Sequence, residues 1–550
     1  MPSPLSTRAP NVPPSRPSRK RPQPRLRAVA EDQGVADWAS LLGDLSRPPL
    51  AGRPEGDAVE WRVHDRTHVE FAIDYPASEL TSDYRWEAYF FVPASFRLDE
   101  ATYDKKELYD DLQSYVRLAV PELPFAQLAD ADPAAPLARL KAALGEAAGA
   151  PEGSAAAAEA GRQLRLFACY VRATGLASLR EVERAAQAPP GGAELPATAA
   201  DFGQSCAGAA RALRAVIDEA LGRGLSPELA TVARWADEDV SLVLETFCAS
   251  LAVTLERRAD DDPRLRGLAE HVAALAVGEA RHRAARGYDS VVDGDGDERQ
   301  FEHLEFRRHV LKRFTSSTLW LSLERREGPQ WVLHALYALA AAVAMTFALV
   351  ASIQTNPFSQ QVFRYAILVA VAYAAKDRIK AFLQNSVTKW LAKRFPDRLW
   401  TIRDLERGRD LGEITERAGF LPFRRAPAEV LQMRRLTREH ALEEQARPER
   451  VLWYKKAVSL RPGAGIPGPF PAVTEIFRLN LRQWLEHTDD RNRKFLFADP
   501  RDARIYSATA RRVYNINVVY RLTRGVENAP WHRIRVVVSR KGIERIDAIR

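Results

Sequence analysis

The chain has 550 residues, 46% of them hydrophobic, with 80 Lys and Arg against 72 Asp and Glu for a formal net charge of +8. That length predicts three or four structural units. Cys169, Cys206 and Cys248 lie in apolar, helix-like surroundings without Cys-x-x-Cys spacing, which argues against a disulfide framework or a zinc site and predicts buried thiols in a reducing compartment. The charge is unevenly spread: residues 28–300 carry 28 basic against 47 acidic side chains, and residues 301–550 carry 45 against 25. The basic half is expected to lie near anionic headgroups or to attract the acidic half; nucleic-acid binding is disfavoured because the basic residues are dispersed among acids.

Residues 1–27 hold seven Lys or Arg and no acid in a Pro- and Ser-rich stretch. The stretch lacks the apolar centre of a secretory signal and cannot bury enough surface to offset ordering, so a disordered tail is expected over residues 1–30. From Val59, WRVHDRTHVEFAIDYP and YRWEAYFFVPASF alternate or cluster β-branched and aromatic residues as paired strands do, with 77–83 as a hairpin loop. DKKELYDDLQSYVRL then sets Leu108, Leu112, Tyr115 and Val116 on one helical face. A small α+β element is therefore expected over 58–123.

Residues 124–288 are rich in Ala, Leu, Arg and Glu with helical period. Breaks at Pro133 and Pro136, 149–151, 189–192, Ser226-Pro227 and 260–263 predict helices over 161–174, 201–221, 228–258 and 265–286 in an antiparallel bundle. The Ala-rich run 155–160 is expected to fray. A linker and membrane-proximal segment, 289–330, follows. Within it a basic amphipathic helix, 301–314, places Leu304, Leu311 and Phe314 on one face, and TLWLSLERRE reads as a short strand.

Two apolar runs come next, 331–353 and 358–375, separated only by Gln354-Thr355-Asn356-Pro357. At ~1.5 Å per residue the first reaches about 34 Å, enough to cross a ~30 Å hydrocarbon core. It carries no charge, and His334 is its one strongly polar side chain. The second run is weaker. Its unbroken apolar part, 365–375, has the length of a buried core helix, and a crossing needs 358–364 as well, with Arg364 snorkelling to the headgroups. Arg307, Arg308, Lys312, Arg313, Arg325 and Arg326 precede the pair, and Lys376, Arg378, Lys380, Lys389, Lys393 and Arg394 follow it, whereas the connecting loop has no positive charge. The positive-inside rule then predicts a two-span transmembrane hairpin in a bacterial inner membrane, with both termini cytoplasmic and the downstream cluster at anionic headgroups. Two buried helices of a soluble domain are the competing expectation. Ala340, Ala344 and Ala348 form a small-residue stripe suited to close packing on the other span or on a second copy. The basic amphipathic helix over 376–396 either extends the second run or lies in the interface plane.

Residues 397–550 read as an α+β domain. Helices are expected over 428–447 and 473–487, followed by RRVYNINVVYRLTR, in which Tyr514, Ile516, Val518, Tyr520 and Leu522 alternate. WHRIRVVVSRKG and IERIDAI complete an antiparallel meander, with 525–530 as one turn and a polar face bearing Arg512, Asn515, Asn517 and Arg521. No repeat period is present to support a solenoid or propeller.

Motif by motif, the chemistry is thin. Gly463-Ala464-Gly465-Ile466-Pro467-Gly468 matches a dinucleotide fingerprint in spelling, but Pro467, Pro469 and Pro471 block the helix whose N-terminus would face a pyrophosphate, so a loop is expected. Asp293-Gly294-Asp295-Gly296-Asp297 resembles the start of a calcium loop, yet Glu298 stands where Gly is needed and Leu304 where Glu is needed. His64 and His68 share strand-like spacing with Asp65 and Glu70 nearby but lack further identifiable metal ligands. His303, Glu305 and His309 decorate a charged helix. No phosphate-binding Gly-rich loop ending in Lys-Ser/Thr, no Gly-x-Ser-x-Gly and no His-Glu-x-x-His occurs. The sequence thus nominates no catalytic residue, no cofactor site and no metal site.

The segments YRWEAYFFVPASF and YDKKELYDDLQSYVRL, with FRRHVLKRFTSSTLWL and AYAAKDRIKAFLQ, resemble a family of uncharacterised bacterial membrane proteins. The resemblance implies two spans set between cytosolic regions and no particular activity; the Ala-rich bundle and the N-terminal tail fall outside it. The fold class expected is α+β: a mostly helical cytosolic N-terminal region with a small β element, a transmembrane helical hairpin, and a C-terminal α+β domain over 397–550 with an antiparallel sheet. The function expected is a membrane-anchored adaptor, regulator or scaffold, non-enzymatic and self-associating. An enzyme with an unrecognised cytosolic site is one alternative. A small oligomeric channel is the other, with only His334, Thr346, Ser352 and Arg364 to line a pore, a thin inventory for selectivity.

Overall fold

The computed structural model describes residues 59–549 except 77–81, 122, 131, 188–193, 261, 293–295, 327–329, 356–361, 436–448, 462–469, 490–491, 503 and 526–528. In chain order it begins with β1 (Val59–Val63), β2 (His68–Pro76), β3 (Ser82–Val92), α1 (Lys105–Asp110) and β4 (Leu112–Leu118). Helices α2 (Pro136–Ala147), α3 (Ala155–Gln187), α4 (Glu194–Gly222), α5 (Pro227–Arg258), α6 (Arg264–Arg286) and α7 (Glu298–Ser316) follow. Then come β5 (Trp320–Arg326), α8 (Gln330–Thr355), α9 (Val362–Arg394), β6 (Arg398–Asp404), β7 (Arg409–Pro422), α10 (Ala428–Arg434), β8 (Arg450–Leu460) and β9 (Ala472–Asn480). The chain ends with β10 (Asn492–Asp499), β11 (Arg504–Arg511), β12 (Tyr514–Arg524), β13 (His532–Ser539) and β14 (Gly542–Ile549).

Two compact units result, and the first contains Leu123–Lys312. Its helices start and stop where local chemistry dictates. Ser226 caps α5 by accepting from the Leu229 N–H at 3.3 Å, with Pro227 at the first helical position. Gly287, at φ 66°, ends α6 in the left-handed conformation, and the Tyr288 N–H reaches back to the Arg283 carbonyl at 3.0 Å. The four expected helices are present, all but α5 and α6 longer than expected, and the run 155–160 is helical as well. Leu164, Phe167, Val171, Phe202, Phe247 and Leu251 are buried in the bundle core. Gly175 on α3 permits its closest approach: a Cβ there would lie 2.1 Å from the Phe247 ring.

The second unit joins the described residues before Leu123 to those from Arg313 onward. Its centre is a 12-stranded antiparallel sheet in the order β1-β2-β9-β4-β5-β6-β7-β8-β3-β12-β13-β14. The sheet curls almost into a barrel, and its ends meet where the Ile543 N–H of β14 donates to Arg66 O in the β1–β2 turn at 2.7 Å. Aromatic side chains fill the interior from both walls: Phe71 on β2 meets Trp86 on β3 at 5.7 Å between ring centroids, and Phe477 on β9 meets Tyr454 on β8 at 5.2 Å. Outside, α10 covers β3, β8 and β12 through a cluster of Tyr89, Phe91, Phe423, Val430, Val451 and Val519. Of the polar face expected on β12, Asn517 is buried and accepts from Arg533 at 2.8 Å, whereas Asn515 and Arg521 stay partly exposed and Arg512 precedes the strand.

Several expectations are corrected. The small β element and the C-terminal sheet are one structure: β3, near residue 87, lies between β8 and β12, whose strands come more than 350 residues later. Strands β2 and β3 face one another across the interior and do not pair, so they form no hairpin; of the loop expected over 77–83, residues 77–81 lie outside the described residues. Residues 112–118, expected to continue a helix, form β4 after Asp111 ends α1. Residues 473–487, expected as a helix, form β9 and a single turn, Arg482–Leu485; β9 is buried on both faces over Ala472–Phe477, so it lacks the alternation of buried and exposed residues that marks a one-sided strand. The meander β12-β13-β14 is present as expected.

The two-span transmembrane hairpin is also corrected. Helices α8 and α9 pack side by side, replacing the turn between paired strands β5 and β6. Among the described residues only α8 is long and apolar enough to cross a membrane. In α9 the uncharged run between Arg364 and Lys376 is 11 residues, or roughly 16 Å of helix, about half a hydrocarbon core. The residues that would lengthen it, 358–361, lie outside the described part of the chain. Beyond Lys376, α9 continues unbroken to Arg394, so the basic helix expected over 376–396 is its extension.

Candidate functional site

Inside the barrel-like sheet, three residues stand in register across neighbouring strands: Glu416 on β7, Lys456 on β8 and Trp86 on β3. Glu475 approaches from β9 on the facing wall and contacts the Lys456 ammonium directly. Lys456 Nζ also lies 3.2 Å from Glu416 Oε1 and 3.1 Å from Ser114 Oγ on β4. Each carboxylate takes further donors. Tyr75 OH and Ser114 Oγ donate to Glu475, both at 2.8 Å. Tyr454 OH and Trp400 Nε1 donate to Glu416 at 2.7 and 3.0 Å. The Lys456 and Glu475 side chains are both 0% exposed.

The electrostatics define what this centre can do. Burial pulls the Lys456 pKa down, but Glu475 and Glu416 outweigh it and hold the ammonium above its ordinary value. Burial pushes Glu416 up, and Lys456 with the Tyr454 and Trp400 donors brings it below the usual carboxylate range. Burial, then the neighbouring carboxylates, push the Tyr75 and Tyr454 phenols well up. At neutral pH the lysine is a cation and both tyrosines are neutral, so neither type supplies a nucleophile or a general base. The centre ties β2, β4, β6, β7, β8 and β9 together.

A second charged centre lies within the bundle. Asp237, Glu238 and Asp239 are consecutive on α5 and therefore point about 100° apart around its axis. Asp237 meets Arg214 of α4 at 3.1 Å, His282 of α6 at 2.7 Å and Tyr288 OH at 2.8 Å. Glu238 takes Arg307 of α7 at 2.7 Å, and Asp239 takes Arg172 of α3 at 2.7 and 2.9 Å. Burial raises the Asp237 pKa, while His282, Arg214 and Tyr288 more than reverse this, leaving it below the usual range. Sequence reasoning missed both centres. The available signal was Ala-Asp-Glu-Asp-Val immediately before the largely apolar stretch 240–255 of the same helix, since buried acids demand partners.

The residues weighed from sequence fall elsewhere. His64 lies in the β1–β2 turn and His68 opens β2; Asp65 Oδ2 lies 2.8 Å from His68 Nδ1 and Glu70 lies 3.5 Å from His64, so these groups close a turn. His303, Glu305 and His309 are exposed on α7. Asp297 caps that helix by accepting from the Gln300 N–H at 2.9 Å, whereas 293–295 and the Gly463–Gly468 motif lie outside the described residues. All three cysteines are buried, and none forms a disulfide. Among the described residues, no group of three or more His, Cys, Asp or Glu is arranged to hold a metal.

The exceptional surface is α8. Of its residues His334–Ala351 only 11% are buried. Ala340 and Ala344 are the buried points, whereas Leu339, Val343, Met345, Phe347, Leu349, Val350 and Ile353 are exposed. Phe363, Ile367, Val371 and Tyr373 extend the apolar surface along α9. At its edge Lys376 Nζ sits 3.5 Å from the Tyr373 ring centroid, and Arg378 and Lys380 are exposed. Lys389, Lys393 and Arg394 follow on α9. Of the groups considered for a pore, His334 is exposed and the Thr346 hydroxyl donates to Ala342 O within α8 at 2.9 Å. Soluble surfaces rarely leave so many large apolar side chains contiguous and uncovered. No protein-family model matches the chain, and neither a curated protein nor a solved structure gives a significant match.

Proposed function

We propose that this protein is attached to a bacterial cytoplasmic membrane through α8 and acts there as an adaptor or scaffold. The observation that carries attachment is the unburied apolar length of α8. Burying its seven large exposed side chains is worth on the order of 10 kcal/mol, at about 1.5–3 kcal/mol for each one fully buried. Lipid offers that burial without a shaped partner. Lys376, Arg378 and Lys380 then meet anionic headgroups, each worth about 1 kcal/mol near the surface. The adaptor role is drawn from the two charged centres, whose groups are engaged with one another and hold strands and helices together.

Fractionation tests attachment. The full chain, expressed in bacteria, should pellet with membranes, resist alkaline carbonate and enter solution only with detergent. Recovery in the high-speed supernatant without detergent sinks the proposal. Cross-linking in intact membranes tests the scaffold role: discrete multimers or recurring partner bands are expected, and an exclusively monomeric band removes it.

A further inference from the structure

The ribbon β10–β11 is a two-stranded sheet of its own, outside the 12-stranded sheet. Isolated ribbons are marginally stable and ordinarily pack an apolar face on something. Here nearly every residue is exposed, including Leu496 at 74% and Ile505 at 76%. The register puts Phe495, Phe497 and Tyr506 on one face, with the Phe497 and Tyr506 rings stacked at 5.8 Å. Leu496, Ala498 and Ile505 fall on the other face, towards the tip.

Its place in the fold matters as much as its composition. The ribbon lies between the end of β9 at Asn480 and the start of β12 at Tyr514. Leu479 of β9 pairs with Leu112 of β4, and Val116 of β4 pairs with Leu321 of β5. Following that register, the end of β9 is level with the end of β5, where α8 departs. Ribbon and apolar helix thus leave the same rim of the sheet.

From these observations we infer that β10–β11 is a second lipid contact, a finger that lays its aromatic and aliphatic side chains at the surface of an anionic bilayer. The charge fits that occupant. From Asn492 to Arg511 there are five basic residues, Arg493, Lys494, Arg501, Arg504 and Arg511, against Asp499 and Asp502. Asp502 is engaged by Tyr506 OH and the Arg504 N–H, and Arg511 by Glu544 at 3.2 Å. Aromatic rings at headgroup depth beside Lys and Arg form the usual interfacial combination. The inference rests on membrane attachment through α8.

Full-length protein with Leu496→Cys or, separately, Val343→Cys would carry an environment-sensitive fluorophore, the buried native cysteines being controlled for by labelling the unsubstituted chain. Each would be reconstituted in phosphatidylcholine alone and in phosphatidylcholine mixed with phosphatidylglycerol. The Val343 label should shift to the blue in both lipids. The Leu496 label should shift only with phosphatidylglycerol, and Arg493→Glu with Lys494→Glu should abolish that shift. A Val343 shift without any Leu496 shift overturns the finger while attachment stands. No shift at either position removes both proposals. A Leu496 shift equal in both lipids overturns the anionic preference, and one that follows protein-to-lipid ratio makes a second copy the occupant and overturns the inference.

Discussion

The interior of the barrel-like sheet and the surface of α8 depart from the ordinary partition of residues in opposite directions. One buries a lysine and two glutamates; the other exposes seven large apolar side chains. The difference teaches where each free energy is balanced. A buried charge is costly unless partners from the same chain surround it, and Lys456, Glu416 and Glu475 have theirs. Exposed hydrocarbon is costly until something covers it, and on the proposed reading lipid supplies that cover for α8. On that reading, unusual polarity inside this unit bears on stability, and unusual polarity outside it bears on location.

The sharpest way to break the contrast is to charge α8. Val343 and Phe347 are four apart and both exposed. Converting both to Arg (V343R/F347R) costs up to about 2.5–3.5 kcal/mol per residue where the side chains lie in hydrocarbon, but little on a surface already in water. The doubly substituted chain should move from the membrane pellet to the supernatant, with its circular dichroism retained. Continued pelleting with the membranes would mean that α8 is not in lipid.

The sheet interior should respond in stability and leave location untouched. Lys456→Met strands two buried carboxylates and should cost about 3–5 kcal/mol, read by denaturant unfolding in mild detergent. Adding Glu475→Gln should recover part of that loss, because the unpaired charge is then reduced. If Lys456→Met were neutral, the centre would contribute nothing to holding the strands.

Acid and alkali test the same centre with the sign worked out. Glu416 lies below its ordinary 4.5 in the folded state, so its stabilising contribution is complete above that value and fades as pH falls through the depressed folded pKa. Asp237 in the bundle behaves likewise, below its ordinary 3.8. Lys456 is raised above 10.5, so its contribution is complete below that value and is lost as pH rises through the folded pKa. A stability plateau between about pH 5 and 10 is expected from these groups. Glu416→Gln should flatten the acid limb; an acid limb unchanged by it would show that Glu416 is not titrating there.

Legibility in sequence followed the range of the interactions. Helices α5 and α6 were readable because Ser226-Pro227, Pro263 and Gly287 act within a turn of their own positions. The meander was readable because β12, β13 and β14 are consecutive and alternate. Strand β3 was readable as a strand, but its partners were not: Trp86 pairs with Lys456 and Leu522, and nothing local in the chain announces either. Lys455 and Lys456 are adjacent, yet the first is half-exposed and the second fully buried, a difference set by the strand register. Helix α8 was legible from composition alone; the two-span expectation failed at α9, where Arg364 and Lys376 leave too little apolar length between them.

The smallest effect concerns the rim where the helical insertion returns to the sheet. Asp397 follows α9 and accepts from Lys105 Nζ at 2.7 Å, Tyr109 OH at 3.1 Å and the Ala418 N–H at 2.9 Å. Both side-chain donors sit on α1, which a capping box holds in place: the Asp104 carboxylate accepts from the Glu107 N–H, and the Glu107 carboxylate from the Asp104 N–H, each at 2.9 Å. Asp104→Ala removes one half of the box and should cost about 1 kcal/mol by denaturant unfolding, with no change in membrane pelleting. A loss of pelleting would mean that the presentation of α8 depends on how α1 grips Asp397, and the separation of stability from location argued for the two regions would no longer hold.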